Sequence, residues 1–131
     1  MTQVQINSAF LTALNTIDAT IAKVYEGVAY APTVGTPYIE AYFLPSDNDG
    51  IHIDNSNYES LGIFQITLKY PFGSGSGAIT TQAQKYIDYF YKGRQFTDVR
   101  ILDTPRLTNL GKDGDKLTYV ISINYGCYIS V

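Results

Sequence analysis

From Leu117 to Val131 every odd position is apolar or aromatic: Leu117, Tyr119, Ile121, Ile123, Tyr125, Cys127, Ile129 and Val131. A period of two belongs to a strand with one face buried, because successive side chains point to opposite sides of a sheet. A strand of this length commits the chain to a sheet, and its apolar side must be covered by another layer.

A second alternating run supplies a partner. Between Leu61 and Tyr70, Phe64, Ile66, Leu68 and Tyr70 share one side while Gln65, Thr67 and Lys69 share the other. Tyr38 to Leu44 reads as a further strand, with Ile39, Ala41 and Phe43 opposed to Tyr38, Glu40 and Tyr42. Val99 to Leu102 is a short strand interrupted before Pro105, and Gly111 to Lys116 forms a polar turn into the final strand.

The covering layer is helical. Thr2 with Gln5 reads as a capping box, and Ile6, Phe10, Leu14, Ile17, Ile21 and Val24 recur at spacings of three and four, which predicts a helix over roughly Gln3 to Val24. Ile79, Ala83, Tyr86, Ile87 and Phe90 form a second stripe, predicting a helix from about Ala78 to Lys92 closed by Gly93. The expected fold class is α+β: a mainly antiparallel β-sheet with two helices packed on one face, in the order α-β-β-α-β-β. At 131 residues one core accounts for residues 1–131 as a single domain.

Composition narrows the class. The chain is 45% hydrophobic and 16% charged, with no apolar run long enough for a membrane-spanning helix. The N-terminal residues show no basic region followed by an apolar block, so synthesis in a reducing cytoplasm is expected. Cys127 is the single cysteine, which leaves no internal disulfide and no cysteine-based zinc site within one chain. Twelve tyrosines and six phenylalanines suit half-buried strands and subunit contacts equally.

The net charge of −3 conceals an asymmetry. Val24 to Leu68 holds Glu26, Glu40, Asp47, Asp49, Asp54 and Glu59 with no Lys or Arg, whereas Lys69 onward carries eight basic residues against five acids. Scattered cations on an acidic whole do not make the basic stripe of a nucleic-acid reader.

Residues able to do chemistry are few. His52 and Cys127 are the only members of their kinds, and Cys127 falls in register with the apolar side of the last strand, where a thiol acts as a small hydrophobe. His52 lies among acids in the polar excursion Pro45 to Ser60, which is expected to project as a hairpin. Asp47-Asn48-Asp49-Gly50 has the look of a calcium loop, but aligning Gly50 with the loop glycine puts Pro45 and Ser56 where oxygen ligands are required. Gly73 to Ala78 matches the Gly-x-Gly-x-x-Ala dinucleotide fingerprint, yet alternating strands do not suit the parallel sheet that motif needs, and a linker with Ser76 as helix cap is the plainer reading. No catalytic, cofactor-binding or metal-ligating residue is expected.

The succession of features nevertheless resembles a known family. An opening helix, Ala31-Pro32, Pro37-Tyr38-Ile39 entering a strand that stops at Pro45, Tyr58 followed by Gly62 to Ile66, Tyr70-Pro71, the glycine link, Val99-Arg100-Ile101 and Pro105 together resemble the tail terminator proteins of long-tailed bacteriophages. The resemblance implies a virion protein that caps the finished tail tube as a ring, usually a homo-hexamer, stops tube polymerisation and offers a docking face for the head. The implied partners are copies of itself, the tail tube protein and a head-completion or neck protein; DNA passes through the lumen without specific binding, and no cofactor, enzyme activity or membrane is involved. Asp47, Asp49, His52, Asp54 and Tyr58 are the candidate subunit-interface or lumen residues. A neck or head-completion protein, and a phosphate-binding module built on Gly73 to Ala78, are the competing readings.

Overall fold

The computed structural model describes residues 3–27, 35–50, 57–73, 75–114 and 116–130; the side chains of 3, 46–50, 57–59, 113 and 128–130 are not among those described. Two helices and seven strands follow one another as α1 (Gln3–Ile17), β1 (Ala22–Tyr25), β2 (Tyr38–Gly50), β3 (Asn57–Pro71), α2 (Gly77–Tyr89), β4 (Gln95–Phe96), β5 (Val99–Ile101), β6 (Arg106–Asp113) and β7 (Lys116–Ser130). The strands form one sheet in the order β1-β2-β3-β7-β5-β4, with β6 also paired to β7.

The long alternating strand is the spine of this sheet. β7 pairs antiparallel with β3 from Lys116 to Ser130 on one side, and with β6 and then β5 on the other. The register sets Ile39 beside Leu68 and Leu68 beside Tyr119, Ala41 beside Ile66 and Ile66 beside Ile121, and Phe64 beside Ile123. Because directly opposed residues share a face, these rows make one continuous apolar surface.

Both helices cover that surface. Ile6, Phe10, Ala13 and Leu14 from α1 and Ile79, Ala83, Tyr86 and Phe90 from α2 are buried in the same cluster as the strand residues. Phe10 is its hub: its ring stacks on Phe64 at 4.4 Å and meets Tyr125 and Phe96 edge-on at 5.2 and 5.3 Å. Four tyrosines, at positions 70, 86, 119 and 125, are buried in this cluster, so much of the aromatic content fills the interior.

The expected architecture needs three corrections. The sheet is mixed, because β1 runs parallel to β2 with Ala22 opposite Tyr38 and Tyr25 opposite Ala41. The first helix stops at Ile17, well short of Val24: the Asp18 carboxylate accepts hydrogen bonds from the Thr20 N–H and hydroxyl, an Asx-type turn that competes with the next helical turn. Ile21 and Val24, spaced as if helical, therefore fall in the bend before β1 and in β1 itself. The strand order also contains β4 and β6, which were not anticipated. β6 is almost wholly exposed, so burial leaves no period in its residues; it is held by its ladder with β7 and by a bulge at Asn109/Gly111, where the Asn109 side chain accepts from the Gly111 N–H at 2.7 Å.

Smaller departures share the same cause, local backbone bonding. α2 ends at Tyr89 with Phe90 as its C-cap, and Gly93 instead sits in the next turn, its N–H bonded to the Ile101 carbonyl. Ser76 is the N-cap residue of α2 but makes no side-chain capping bond, since its backbone is already helical. Thr2 and residues 31–34 of the Ala31 to Pro37 turn lie outside the described residues.

Candidate interaction surfaces

The sheet face turned away from the helices carries a different chemistry. On it Tyr38, Glu40 and Tyr42 of β2 adjoin Gln65, Thr67 and Lys69 of β3 and Thr118, Val120 and Ser122 of β7. Lys69 Nζ lies 3.6 Å from the Glu40 carboxylate, and the Tyr42 hydroxyl donates to the same carboxylate. That bond, reinforced by partial burial, pushes the Tyr42 phenol up to about 12. The Lys116 ammonium stands 5.9 Å from the Tyr38 ring centroid. Toward its end this face turns apolar, where opposed Leu44 and Ile63 are 43% and 36% exposed.

Beyond that pair β2 and β3 continue as a hairpin. The register shifts between Pro45 and Asn48 and then resumes with Asn48 opposite Ser60, Asp49 opposite Glu59 and Gly50 opposite Tyr58. The arms of the Pro45 to Ser60 excursion, up to Gly50 and from Asn57, are thus paired strand, and Asn57 to Ser60 also pair with β7; residues 51–56 lie outside the described residues. β1 covers only Tyr38 to Ala41 of β2, and the Glu26 carboxylate accepts from the Phe43 N–H just past the end of β1, so the remainder of β2 is a sheet edge among the described residues.

Three of the candidate residues lie on these strands. Asp47 and Asp49 are in β2 and Tyr58 is in β3, opposite Ile129 of β7; their side chains, and His52 and Asp54 entirely, lie outside the described residues. The Asn48 to Gly50 stretch is ladder-paired strand rather than a cation-wrapping loop. Among the described residues no group of three or more His, Cys, Asp and Glu is placed to hold a metal. Cys127 is buried between Ser60 and Val99 in the sheet, and burial pushes its thiol up.

The glycine link does not form a nucleotide unit. β3, which precedes it, is antiparallel to both its neighbours, whereas the dinucleotide motif requires a parallel β-α-β crossover.

Three features were not singled out from the sequence. The first is an aromatic and basic cluster on the opposite edge of the sheet: the Arg94 guanidinium lies 4.0 Å from the Tyr89 ring centroid and 5.4 Å from that of Tyr91, which is 53% exposed. The density of Tyr and basic residues from Tyr89 to Arg94 is its only trace in sequence. The second is an open groove of about 560 Å³ between the Ser8, Ala9, Thr12, Ala13 and Thr16 side of α1 and the β4–β5 turn. Thr97 in that two-residue turn has a positive φ of 53°, an arrangement glycine would normally occupy. The third is a junction beside α1: Gln82 of α2 donates to Asp18 at 3.0 Å and to the Tyr86 hydroxyl at 3.1 Å. The Thr20 and Gln82 bonds hold the Asp18 carboxyl down to about 2, while burial raises the Tyr86 phenol to about 12.

The comparisons with known proteins agree with this architecture. One solved structure, whose description states no function, aligns with a TM-score of 0.73 at 23% identity, covering 97% of this chain and 96% of that one, a likeness that shows the fold. No curated protein matches the chain. A family model described as phage tail terminator protein matches residues 5–125. The chain belongs to the phage tail terminator family.

Proposed function

We propose that this protein caps the phage tail tube as a homo-hexameric ring, ends tube polymerisation and offers the face on which a head-completion or neck protein docks. The observation that carries the reading is the family match across residues 5–125. The chain acts through contacts, without a cofactor and without catalysing a reaction, at the head-proximal end of the virion tail after assembly in the host cytoplasm. DNA traverses the lumen without specific binding.

The architecture supports the reading. A closed ring requires heterologous contacts, in which two different patches of one subunit meet. This subunit has two dissimilar sheet edges, one ending in the hairpin that carries Asp47, Asp49 and Tyr58, the other in the Arg94 cluster. The candidate residues Asp47, Asp49, His52, Asp54 and Tyr58 accordingly serve a subunit contact or line the lumen, where negative charge repels phosphates.

Electron microscopy of the purified protein, alone and mixed with tail tubes, tests the proposal. Rings seated on tube ends are expected. Rings that ignore tubes and bind an isolated head connector would assign the chain to the neck instead.

A further inference from the structure

Arg94 is held but not neutralised. Its N–H donates to the Tyr91 carbonyl and its own carbonyl accepts from the Ile101 N–H, which fixes its backbone. The guanidinium lies against Tyr89 and reaches the exposed Tyr91, and it makes no ion pair among the described residues. Its Nε is buried without a partner, so the two terminal nitrogens are the part left to meet a ligand end-on. A guanidinium oriented beforehand on aromatic rings loses little rotamer freedom when it binds a carboxylate.

A carboxylate of the matching kind lines a second hollow of the subunit. Asp18 stands with Thr20, Thr36, Pro37, Tyr70 and Gln82 around a space of about 370 Å³. It too makes no ion pair among the described residues: Lys85 acts on it only through space, and the Lys23 ammonium donates to the Ile21 carbonyl at 3.1 Å. Asp18 Oδ1 accepts both Thr20 bonds, at 2.9 and 2.6 Å, and Oδ2 accepts one from Gln82 at 3.0 Å. An ionised carboxylate accepts about four bonds, so Oδ2 has room for another. Gln82 is 6% exposed, and its amide nitrogen already donates to Asp18 and to Tyr86, which leaves its carbonyl oxygen as the group it offers. One acceptor on Asp18 beside one on Gln82 complements a two-pronged donor. Other described acids are already engaged: Glu40 by Lys69 and Tyr42, Glu26 by the Phe43 N–H and Asp103 by Asn124.

The sheet keeps the two sites apart within one subunit. Tyr70 of the hollow pairs with Leu117 on one side of β7, whereas Ile101, which is bonded to Arg94, pairs with Tyr125 on the other. Leu117 and Tyr125 are eight residues apart along that strand, about 27 Å. No arginine side chain spans that distance. Complementary sites that cannot meet internally are what a head-to-tail contact between identical subunits requires.

Resting on the ring reading, we infer that Arg94 of one subunit, carried on Tyr89 and Tyr91, enters the Asp18–Gln82 hollow of a second copy.

Cross-linking reads this contact with Arg94 and Asp18 both in place. Tyr91→Cys and Thr36→Cys put a thiol beside each site at exposed positions, while Cys127 is fully buried. With a short bis-maleimide linker, the double variant is expected to give a denaturation-resistant ladder from dimer to hexamer, and each single variant none. Native mass spectrometry and occupancy of tube ends then read the charges. Arg94→Glu alone and Asp18→Lys alone are each expected to raise the concentration for half-assembly by about tenfold or more. An equimolar mixture of the two is expected to assemble again, since each altered site then finds its complement. Arg94→Lys, which keeps charge but loses the planar fork, is expected to fall between wild type and Arg94→Glu. Circular dichroism identifies a variant that fails to fold, in which case the cross-linking pair decides. A wild-type ring whose double cysteine variant gives no ladder, normal assembly of Arg94→Glu, or folded charge variants whose mixture stays dissociated overturns the inference and leaves the ring reading standing. So does an Arg94→Glu ring that forms normally but no longer seats on tubes, which would turn the cluster toward the tube protein. A wild-type chain that never self-associates, with or without tubes, removes the ring reading and the inference together.

Discussion

Tyr125 lies directly over Gly62. The two are partners across the β3–β7 ladder, and a Cβ built on Gly62 would fall 2.6 Å from the Tyr125 hydroxyl oxygen and 2.8 Å from the Leu44 carbonyl. The missing side chain of one residue is the space occupied by the other. Phe43 and Phe10 complete the enclosure, one stacked on the Tyr125 ring at 5.8 Å and the other meeting it edge-on. Gly62→Ala should therefore destabilise the fold by about 1–3 kcal/mol through overpacking, read as a lowered urea midpoint with unchanged slope.

The same pair makes an opposite expectation for the other partner. The Tyr125 hydroxyl is buried without a protein hydrogen-bond partner, and a polar group left in that state is a cost that the phenylalanine ring avoids. Tyr125→Phe should leave stability unchanged or raise it by up to about 1 kcal/mol. In the double variant with Gly62→Ala, part of the alanine penalty should disappear, which a double-mutant cycle of urea unfolding measures directly.

Phe10 holds α1 in place through four aromatic neighbours, three on sheet strands and Phe90 at the C-cap of α2. Phe10→Ala should cost about 3–5 kcal/mol, near the upper end for a single core truncation. Thermal and chemical unfolding check this, and exposed Val4→Ala in the same helix serves as the control expected to change little.

Acid and alkali should each release a specific part of the fold. The Asp18 carboxyl is held down to about 2 in the folded chain, so its contribution is present above the ordinary carboxylate range and is lost as pH falls from about 4 through about 2. Asp18→Asn should flatten the pH dependence of unfolding in that window. Tyr86 and Tyr125 are raised to about 12 by burial, so the stability they lend is present below about 10 and is lost as pH rises from there through about 12. Phenolate absorbance should accordingly show a late class of tyrosines that ionises together with unfolding.

If oppositely charged edges steer assembly, ionic strength should weaken it. The screening length falls from about 10 Å at 0.1 M salt to about 3 Å at 1 M. Native mass spectrometry across that range should show progressive loss of the ring, and a ring indifferent to salt would assign its contacts to apolar groups such as Leu44 and Ile63.

What was legible in the chain was whatever burial had written into it. β3 and β7 were plain because Phe64, Ile66, Leu68, Ile121, Ile123 and Tyr125 alternate with residues of the opposite face. α2 was plain because Ile79, Ala83 and Tyr86 keep the helical period against the sheet. β1 was masked because Ile17, Ile21 and Val24 satisfy a helical spacing, while the Asp18 turn that cancels it depends on one carboxylate choosing Thr20 as partner. β6 left no period because nearly all of its side chains face solvent. The acidic stretch was visible as a run of charge, whereas the Arg94 cluster left only a local density of Tyr and basic residues, because the helix end and the turn after it are what bring the guanidinium onto the rings.

The position of β7 also bears on how such a subunit is made. It is the centre of the sheet in space yet follows every other element in the chain, and β3, β5 and β6 have no common partner until it arrives. The core therefore cannot close before β7 is made, and the slow, long-range strand insertion comes last among these elements. Until that insertion the β3 and β5 edges that pair with β7 stay open, so most of the sheet is completed in one late step.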